Sequence, residues 1–219
     1  APLLAGHYAR AYVDTNREPY ELDPGMFEEV LPDFVNTKSA RVSAGLGTVP
    51  RVVSNGEEIY NQKLRFEEAK FRIENVYMPY HEALTRLVDE TKTEFGKCIL
   101  IDCHSMPSAG GPLGDDSGRK HVDIVLGNNY GNSCAPELKI FVDEQFTRLG
   151  LTVHHNNPYS GGYTTLHYGC PRNQIHTLQI EINRSLYMDE ESIQKHAGFA
   201  DLAEKIYTLL DSLGEFRNF

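Results

Sequence analysis

The stretch ILIDCHSMP at residues 99–107 constrains the fold and the chemistry of this chain more than any other. Its first half is a short apolar run rich in β-branched residues, which predicts a buried strand. Asp102, His104 and Ser105 then place polar groups at the carboxyl end of that strand, and Pro107 ends it. Ligands of α/β sheets bind outside the carboxyl ends of strands, so His104 is placed for a metal ligand or a catalytic imidazole. The alternative is a histidine that only forms a hydrogen bond at a strand end.

Predicted strands and helices alternate along the chain, and this order indicates an α/β fold. Apolar runs and period-two alternation predict strands within residues 1–17, 98–103, 121–127, 151–155 and 177–183. Helical spacing predicts helices at residues 65–95, 136–149 and 192–213, with a kink or two abutting helices at Pro79 and Ser192 as the last N-cap. Segments 18–60, 105–119 and 156–176 are predicted to be mostly loops. We expect one domain, residues 1–219, with a mixed, mostly parallel sheet and helices on both faces.

Composition excludes several classes of partner. The formal net charge of −10 over 219 residues argues against nucleic acid and anionic membrane surfaces. No apolar run approaches the roughly 18 residues of a membrane span. The four cysteines form no CxxC pair, so free thiols in a reducing, cytoplasmic environment are a simpler interpretation than a structural zinc site or a disulfide framework. The chain opens at Ala1 directly in an apolar run, and we expect a further segment upstream; the oligomeric state is not defined by the sequence.

Glu181 is the most informative single residue. It lies in a strand whose alternation places Leu178, Ile180 and Ile182 on one face and Gln179, Glu181 and Asn183 on the other. A carboxylate in the middle of a strand is costly unless it is paired, bound to a metal or directed into a cleft. Glu181 is therefore a candidate catalytic residue. The alternative is a structural ion pair with a nearby arginine, for example Arg184.

Three arginines and one loop are candidates for binding an anionic ligand. Arg17 follows Asn16 at the end of a predicted strand, and Arg184 follows Glu181; a guanidinium recognises a carboxylate through two parallel hydrogen bonds. Arg51 lies in the long predicted loop 18–60. Residues 156–165 contain glycines that permit motion and hydroxyls that can donate hydrogen bonds, which is typical of a lid. Surface arginines and an ordinary surface loop are the alternatives.

These residues lie in stretches that resemble the N-formylglutamate amidohydrolase family. The matching stretches are residues 12–17 (YVDTNR), 44–51 (AGLGTVPR), 101–107 (IDCHSMP), 123–127 (DIVLG), 157–163 (NPYSGGY) and 179–188 (QIEINRSLYM). The family is distantly similar to the zinc carboxypeptidases, which implies their three-layer, phosphorylase/hydrolase-like α/β fold. The resemblance implies that Arg17 with Asn16 binds a substrate carboxylate, that His104 is a zinc ligand and that Glu181 is the general base. Arg51, Arg184, Gly162 and Tyr163 are the further candidates for substrate binding.

The resemblance implies a metal-dependent amidohydrolase that cleaves N-formyl-L-glutamate, a small anionic substrate, to formate and L-glutamate in histidine degradation. One zinc ion is expected. Two of its ligands, a histidine and an acidic residue, precede the Asn-Arg motif in that family, and no residue before Asn16 matches them, so they are expected upstream of Ala1. Two alternatives stay open. One is hydrolysis of another N-acyl amino acid or of a peptide carboxyl end, and the other is a non-catalytic module that binds small carboxylates.

Overall fold

The computed structural model describes residues 1–53, 55–110 and 118–217. The chain divides into two compact units, Ala1–Glu94 and Phe95–Phe219, and each is described by itself. The second unit is α/β with a mixed, mostly parallel sheet, which confirms the predicted fold class. The prediction of a single domain stays a prediction. Among the described residues, no helix has both the length and the apolar character that a membrane span requires.

Helices and turns build the first unit. Its regular elements are a 3₁₀ turn at Pro24–Met26, helix α1 at Ala40–Ser43, helix α2 at Phe66–Arg72, a π-helical segment at Ile73–Tyr77 and helix α3 at Met78–Phe95, whose last residue begins the second unit. Ser39 caps α1, because its hydroxyl accepts the N–H of Val42. Pro79 has no N–H to donate to the preceding turn. The sequence predicts a kink or two abutting helices here, and the structure has α2 and α3 joined by the π-helical segment.

The prediction of a strand within residues 1–17 is wrong. The N–H groups of Tyr12 and Val13 both donate to the carbonyl of Ala9, so this segment turns back on itself. The Asp14 side chain then accepts the N–H of Asn16, and this local side-chain bond replaces strand pairing. An apolar cluster fills the unit instead; its buried members are Leu22, Met26, Phe27, Leu31, Val35, Val49, Leu64, Phe66 and Ala69.

A four-stranded sheet organises the second unit. Its strands are β1 at Cys98–Met106, β2 at Ile124–Gly127, β3 at Val153–His155 and β4 at Ile175–Asn183, in the spatial order β1-β4-β2-β3. Strand β4 pairs parallel with β1 and antiparallel with β2, and β2 pairs parallel with β3. The register places His104 of β1 directly beside Glu181 of β4. Two candidate site residues that are far apart in sequence are thereby neighbours on adjacent strands.

The two faces of β4 have different chemistry, as the alternation predicted. Leu178 and Ile180 are buried in the main apolar cluster. Two helices contribute the other main members: α4 (Pro136–Arg148) through Leu138, Val142 and Phe146, and α6 (Gly198–Glu215) through Leu202 and Leu209. Gln179, Glu181 and Asn183 lie on the opposite face and are buried as well. Helix α5 (Tyr163–Tyr168) begins near that face, because the N–H of its N-cap Gly162 donates to Gln179. Helices therefore contact both faces of the sheet.

Several predicted boundaries are corrected. Strand β1 continues to Met106, so His104 and Ser105 lie within the strand and not after it. Helix α6 does not begin at Ser192, because the Ser192 hydroxyl donates to Asp189 within a short hairpin. That hairpin pairs strand β5 (Met188–Asp189) with strand β6 (Gln194–Lys195). The predicted loop 156–176 contains α5, and 3₁₀ turns occur at Asn129–Gly131, Pro171–Asn173 and Arg184–Leu186. Residues 111–117 of the predicted loop 105–119 lie outside the described residues.

Candidate active site

Glu181 is a buried carboxylate on the polar face of β4. The residue is 6% exposed, and its cross-strand neighbours are His104 on β1 and Val125 on β2. The amide nitrogen Nε2 of Gln179 donates to Glu181 Oε1 at 2.8 Å. Burial of an ionised carboxylate requires compensating hydrogen bonds, and this bond supplies one. The arrangement holds one carboxylate oxygen of Glu181 in place, and its role as a catalytic residue stays a prediction.

Arg184, the alternative structural partner of Glu181, is directed to another group. Its Nε donates to the Ser105 hydroxyl at 3.3 Å, and its Nη2 donates to the Ser105 carbonyl at 3.4 Å. Both contacts join the 3₁₀ turn after β4 to the end of β1. These contacts favour a role in fixing the two strand ends, and substrate binding by Arg184 stays a prediction.

His104 forms a pair with Asp102 on the same face of β1. The ring nitrogen Nε2 lies 3.1 Å from Asp102 Oδ1, and both side chains are largely buried. A carboxylate acceptor at Nε2 favours the tautomer that carries its proton on Nε2, which leaves the lone pair on Nδ1 as a possible metal donor. Within the described residues, no three His, Cys, Asp or Glu side chains lie together to hold a metal ion. A catalytic zinc normally has three protein ligands, so this part of the chain does not by itself fit a zinc site.

The predicted lid, residues 156–165, is anchored at several points. Asn156 Oδ1 accepts the N–H of Asn128 at 3.0 Å, and the Ser160 carbonyl accepts the N–H of Asn129 at 2.7 Å. The N–H of Gly162 donates to Gln179 Oε1 at 2.9 Å. The Gly162 N–H is thus engaged inside the protein, which does not favour its use as a donor to substrate. Substrate binding by Gly162 and Tyr163 stays a prediction; the Tyr163 ring stacks on His167 within α5, with 4.8 Å between centroids.

Asp14 is the centre of the polar cluster in the first unit. Arg10 forms two hydrogen bonds with the Asp14 carboxylate at 3.1 and 2.7 Å, and the N–H of Asn16 donates to it at 2.9 Å. Arg17 Nε lies 3.6 Å from the same carboxylate. Burial alone would raise the pKa of Asp14, but the bond and charge of Arg10 and the charge of Arg17 outweigh it, and the pKa is lowered. Asp14 is therefore ionised at neutral pH.

Arg17 is held in a fixed orientation beside that carboxylate. Its side chain is 12% exposed, its Nε donates to the Leu46 carbonyl at 2.8 Å, and its Nη1 donates to the Asn16 carbonyl at 2.9 Å. Burial lowers the pKa of Arg17 to about 10, and the charge of Asp14 opposes that shift. The guanidinium remains protonated at neutral pH. A buried, oriented cation of this kind suits recognition of a carboxylate.

Arg51 is already paired with acidic side chains. Its Nε donates to Asp23 at 2.9 Å, and its Nη1 donates to Glu58 at 3.1 Å. The hydrogen bond that Arg51 donates to Asp23 is the main cause that raises the pKa of Arg51, with Glu58 contributing. These partners favour a structural role, although the predicted role in substrate binding is not tested. His81, another polar residue of the first unit, contacts the Thr15 carbonyl through Nε2 at 2.8 Å.

Gln179, Asp14 and Asp102 contact the predicted site residues, and the sequence did not single them out. Gln179 and Asp102 each lie two positions before a predicted residue in the same strand, so period-two alternation could have identified them. Asp14 lies two positions before Asn16, the spacing of an Asx turn.

Comparisons with known proteins cover nearly the whole chain. A family model described as N-formylglutamate amidohydrolase matches residues 1–188. N-formylglutamate deformylase of Pseudomonas aeruginosa is 32% identical over an alignment of 220 residues that covers 97% of this chain and 75% of that protein. The enzyme of the same name from Pseudomonas putida is 32% identical over 193 residues, 87% of this chain and 65% of that protein. The crystal structure of N-formylglutamate amidohydrolase from Ralstonia eutropha superposes with a TM-score of 0.86 at 33% identity, covering 94% of this chain and 74% of that one.

Proposed function

The chain belongs to the N-formylglutamate amidohydrolase family, as its sequence motifs predict, and we propose that it hydrolyses N-formyl-L-glutamate to formate and L-glutamate. The observation that carries this proposal is identity of 32–33% along nearly the whole chain to enzymes named for this substrate. The geometry of Glu181 supports it, because hydrolysis of an amide needs a positioned proton acceptor.

The proposed reaction is attack of water on the formyl carbon. A bond forms between the water oxygen and the formyl carbon, and the bond from that carbon to the glutamate nitrogen breaks. We assign to Glu181 the removal of a proton from the attacking water and its delivery to the leaving nitrogen. The carboxylate thereby returns to its ionised form at the end of the cycle. The hydrogen bond from Gln179 supports this role, because it holds one carboxylate oxygen in place.

The substrate carries two carboxylates, and the chain has a net charge of −10. Binding such a dianion therefore requires locally placed cations. We assign one substrate carboxylate to Arg17, because its guanidinium is oriented by two backbone carbonyls and remains charged. Arg51 and Arg184 are second choices, since their recorded hydrogen bonds join them to other groups of the protein.

Dependence on zinc stays a prediction from the family resemblance, as does a place in histidine degradation. His104, with its proton directed to Asp102, is the one proposed ligand. Two further donors would be needed, since the described residues do not bring three together. Elemental analysis of the intact protein, including the segment expected upstream of Ala1, tests the prediction. About one zinc per chain would support it, and no divalent metal together with activity in the presence of a chelator would contradict it.

The direct test is release of formate from N-formyl-L-glutamate, compared with N-formyl-L-alanine and N-acetyl-L-glutamate. If a side-chain carboxylate is recognised, we expect kcat/KM for N-formyl-L-glutamate to exceed that for N-formyl-L-alanine by about 10²-fold or more. Preference for N-acetyl-L-glutamate would instead indicate a hydrolase of another N-acyl amino acid. Binding of N-formyl-L-glutamate in calorimetry without formate release would instead indicate a non-catalytic carboxylate-binding module and would contradict the proposed hydrolysis.

A further inference from the structure

We propose that Gln179 is the positioning residue for the general base: its side-chain amide holds Glu181 in the orientation that accepts a proton. This inference rests on the proposed function, because it assumes that Glu181 is the base. The structure gives a chain of two hydrogen bonds, from the N–H of Gly162 to Gln179 Oε1 at 2.9 Å and from Gln179 Nε2 to Glu181 Oε1 at 2.8 Å.

The polarity of this chain is determined by its first member. A backbone N–H can only donate, so the group of Gln179 that faces Gly162 must be the carbonyl oxygen. The NH₂ group of the same amide is then directed at Glu181, and a donor in that position favours the ionised carboxylate. The orientation of the Gln179 amide is thus fixed by the backbone. A flipped amide would place two donors against each other at Gly162.

The backbone that supplies this first donor is itself confined. Gly162 is the N-cap of α5, and it follows a segment that lies against β2. A Cβ atom at Gly127 would lie 2.8 Å from the Gly161 nitrogen and 2.8 Å from the Ser160 carbonyl carbon, which shows how closely this segment approaches the strand. Gly127 is also the cross-strand partner of Gln179. The Gly162 N–H therefore has little freedom to move away from the amide.

The amide and the carboxylate are both buried. Gln179 is 4% exposed and Glu181 is 6% exposed, and both belong to a strand with neighbours on either side. In such surroundings a hydrogen bond to a carboxylate is stronger than in water. Gln179 Nε2 donates to Oε1 of Glu181 and holds that oxygen in place. Without the amide, the carboxylate loses this hydrogen bond, and the base is less well oriented toward the attacking water.

The first variant is Gln179→Met, which keeps the length of the side chain and removes both its donor and its acceptor. Because Gln179 acts through the base and does not contact substrate, we expect kcat per folded molecule to fall by about 10- to 100-fold with KM within about two-fold of wild type. Gln194→Met makes the same chemical change at an exposed position of the β5–β6 hairpin and should leave both constants unchanged. A kcat of Gln179→Met within about three-fold of wild type would overturn the proposal.

A second variant provides a test in case Gln179→Met does not fold. Gln179→Glu keeps an acceptor for the Gly162 N–H and replaces the donor to Glu181 by a second carboxylate. If Gln179 positions the base, turnover falls by at least as much as in Gln179→Met, because two adjacent carboxylates compete for one proton. Wild-type turnover in Gln179→Glu would therefore overturn the proposal even if Gln179→Met does not fold.

The double variant Gln179→Met with Glu181→Gln separates the positioning role of Gln179 from the catalytic role of Glu181. If Gln179 acts only through Glu181, adding Gln179→Met to Glu181→Gln lowers kcat by less than about two-fold further. A full additional loss would mean that Gln179 acts by another route, and the positioning role would be wrong. Wild-type turnover in Glu181→Gln alone would refute the proposed base and this inference together. Loss of turnover in Glu181→Gln with normal turnover in Gln179→Met refutes the inference alone.

Discussion

Arg17→Ala should lower both the stability of the protein and its kcat/KM, and the two losses can be predicted separately. The variant removes two hydrogen bonds from a charged donor, to the carbonyls of Leu46 and Asn16 at 2.8 and 2.9 Å. Each such bond contributes about 1.5 kcal/mol at the lower end of the usual range. Leu46 is exposed, so water can replace the donor there, and a total of about 2 kcal/mol is expected. For a chain of this size that loss corresponds to a decrease in Tm of about 4–8 °C.

The loss in catalysis has a different origin. If Arg17 binds a substrate carboxylate in a buried pair, its removal should cost about 3–5 kcal/mol of binding, which is about 10²- to 10³-fold or more in kcat/KM per folded molecule. Arg17→Lys should recover only part of this loss, because an ammonium lacks the planar fork of the guanidinium. Arg86→Ala is the matched control, since Arg86 is exposed on α3 and 3.9 Å from Glu90.

Two measurements distinguish a structural role of Arg17 from a role in substrate binding. One is the Tm by calorimetry, and the other is the initial rate of formate release divided by the folded fraction. Arg86→Ala should change neither quantity measurably. A lower Tm for Arg17→Ala with kcat/KM within about three-fold of wild type would refute substrate anchoring by Arg17 and would leave it a structural role. Unchanged Tm would refute the energetic account of its two backbone hydrogen bonds.

Two further predictions concern the elements that support the site residues. Gly127→Ala should lower the free energy of unfolding by about 1–3 kcal/mol, because the added methyl group overlaps the segment at Ser160 and Gly161. Gly214→Ala in α6 is the control, since it has open space around it and should be neutral or stabilising. Melting curves of both variants check this. Asp14→Asn should lower Tm at about pH 7 and have a smaller effect at about pH 3, because the lowered pKa of Asp14 contributes stability above its ordinary value of 3.8 that is lost as the pH falls through the folded-state pKa. An equal decrease in Tm at both pH values would contradict that assignment.

The second unit was largely predictable because its elements follow simple periodicities. Short β-branched runs mark β1 and β4, and a three-to-four residue spacing marks α4. The first unit was less predictable, because side chains of its polar residues replace backbone pairing. The segment at residues 12–15 alternates as a strand does, yet Asp14 bonds the backbone two residues on and the segment turns. The start of α6 was misplaced for a similar reason, since the Ser192 hydroxyl caps a hairpin turn at Asp189.

Part of the candidate site followed from one-dimensional patterns, and part required three-dimensional pairing. Period-two alternation was sufficient to select Glu181, because a carboxylate among apolar strand residues needs a compensating partner. Alternation also places Gln179 on the same face as Glu181, but the orientation of its amide was not evident, since Gly162, a residue 17 positions away in sequence, fixes it. The alternative ion pair with Arg184 was attractive in sequence, but the guanidinium is directed to Ser105 on the adjacent strand.

Turnover of the Glu181→Gln variant tests the central claim most directly. The substitution keeps the shape of the side chain and an acceptor oxygen for Gln179 Nε2, and it removes the proton-accepting charge. If Glu181 is the general base, kcat for formate release per folded molecule falls by about 10²- to 10⁴-fold. The Tm should stay near that of wild type, because a buried neutral amide is less costly to desolvate than a carboxylate. A kcat within about three-fold of wild type, accompanied by a lowered Tm, would contradict the account and would make Glu181 a structural residue.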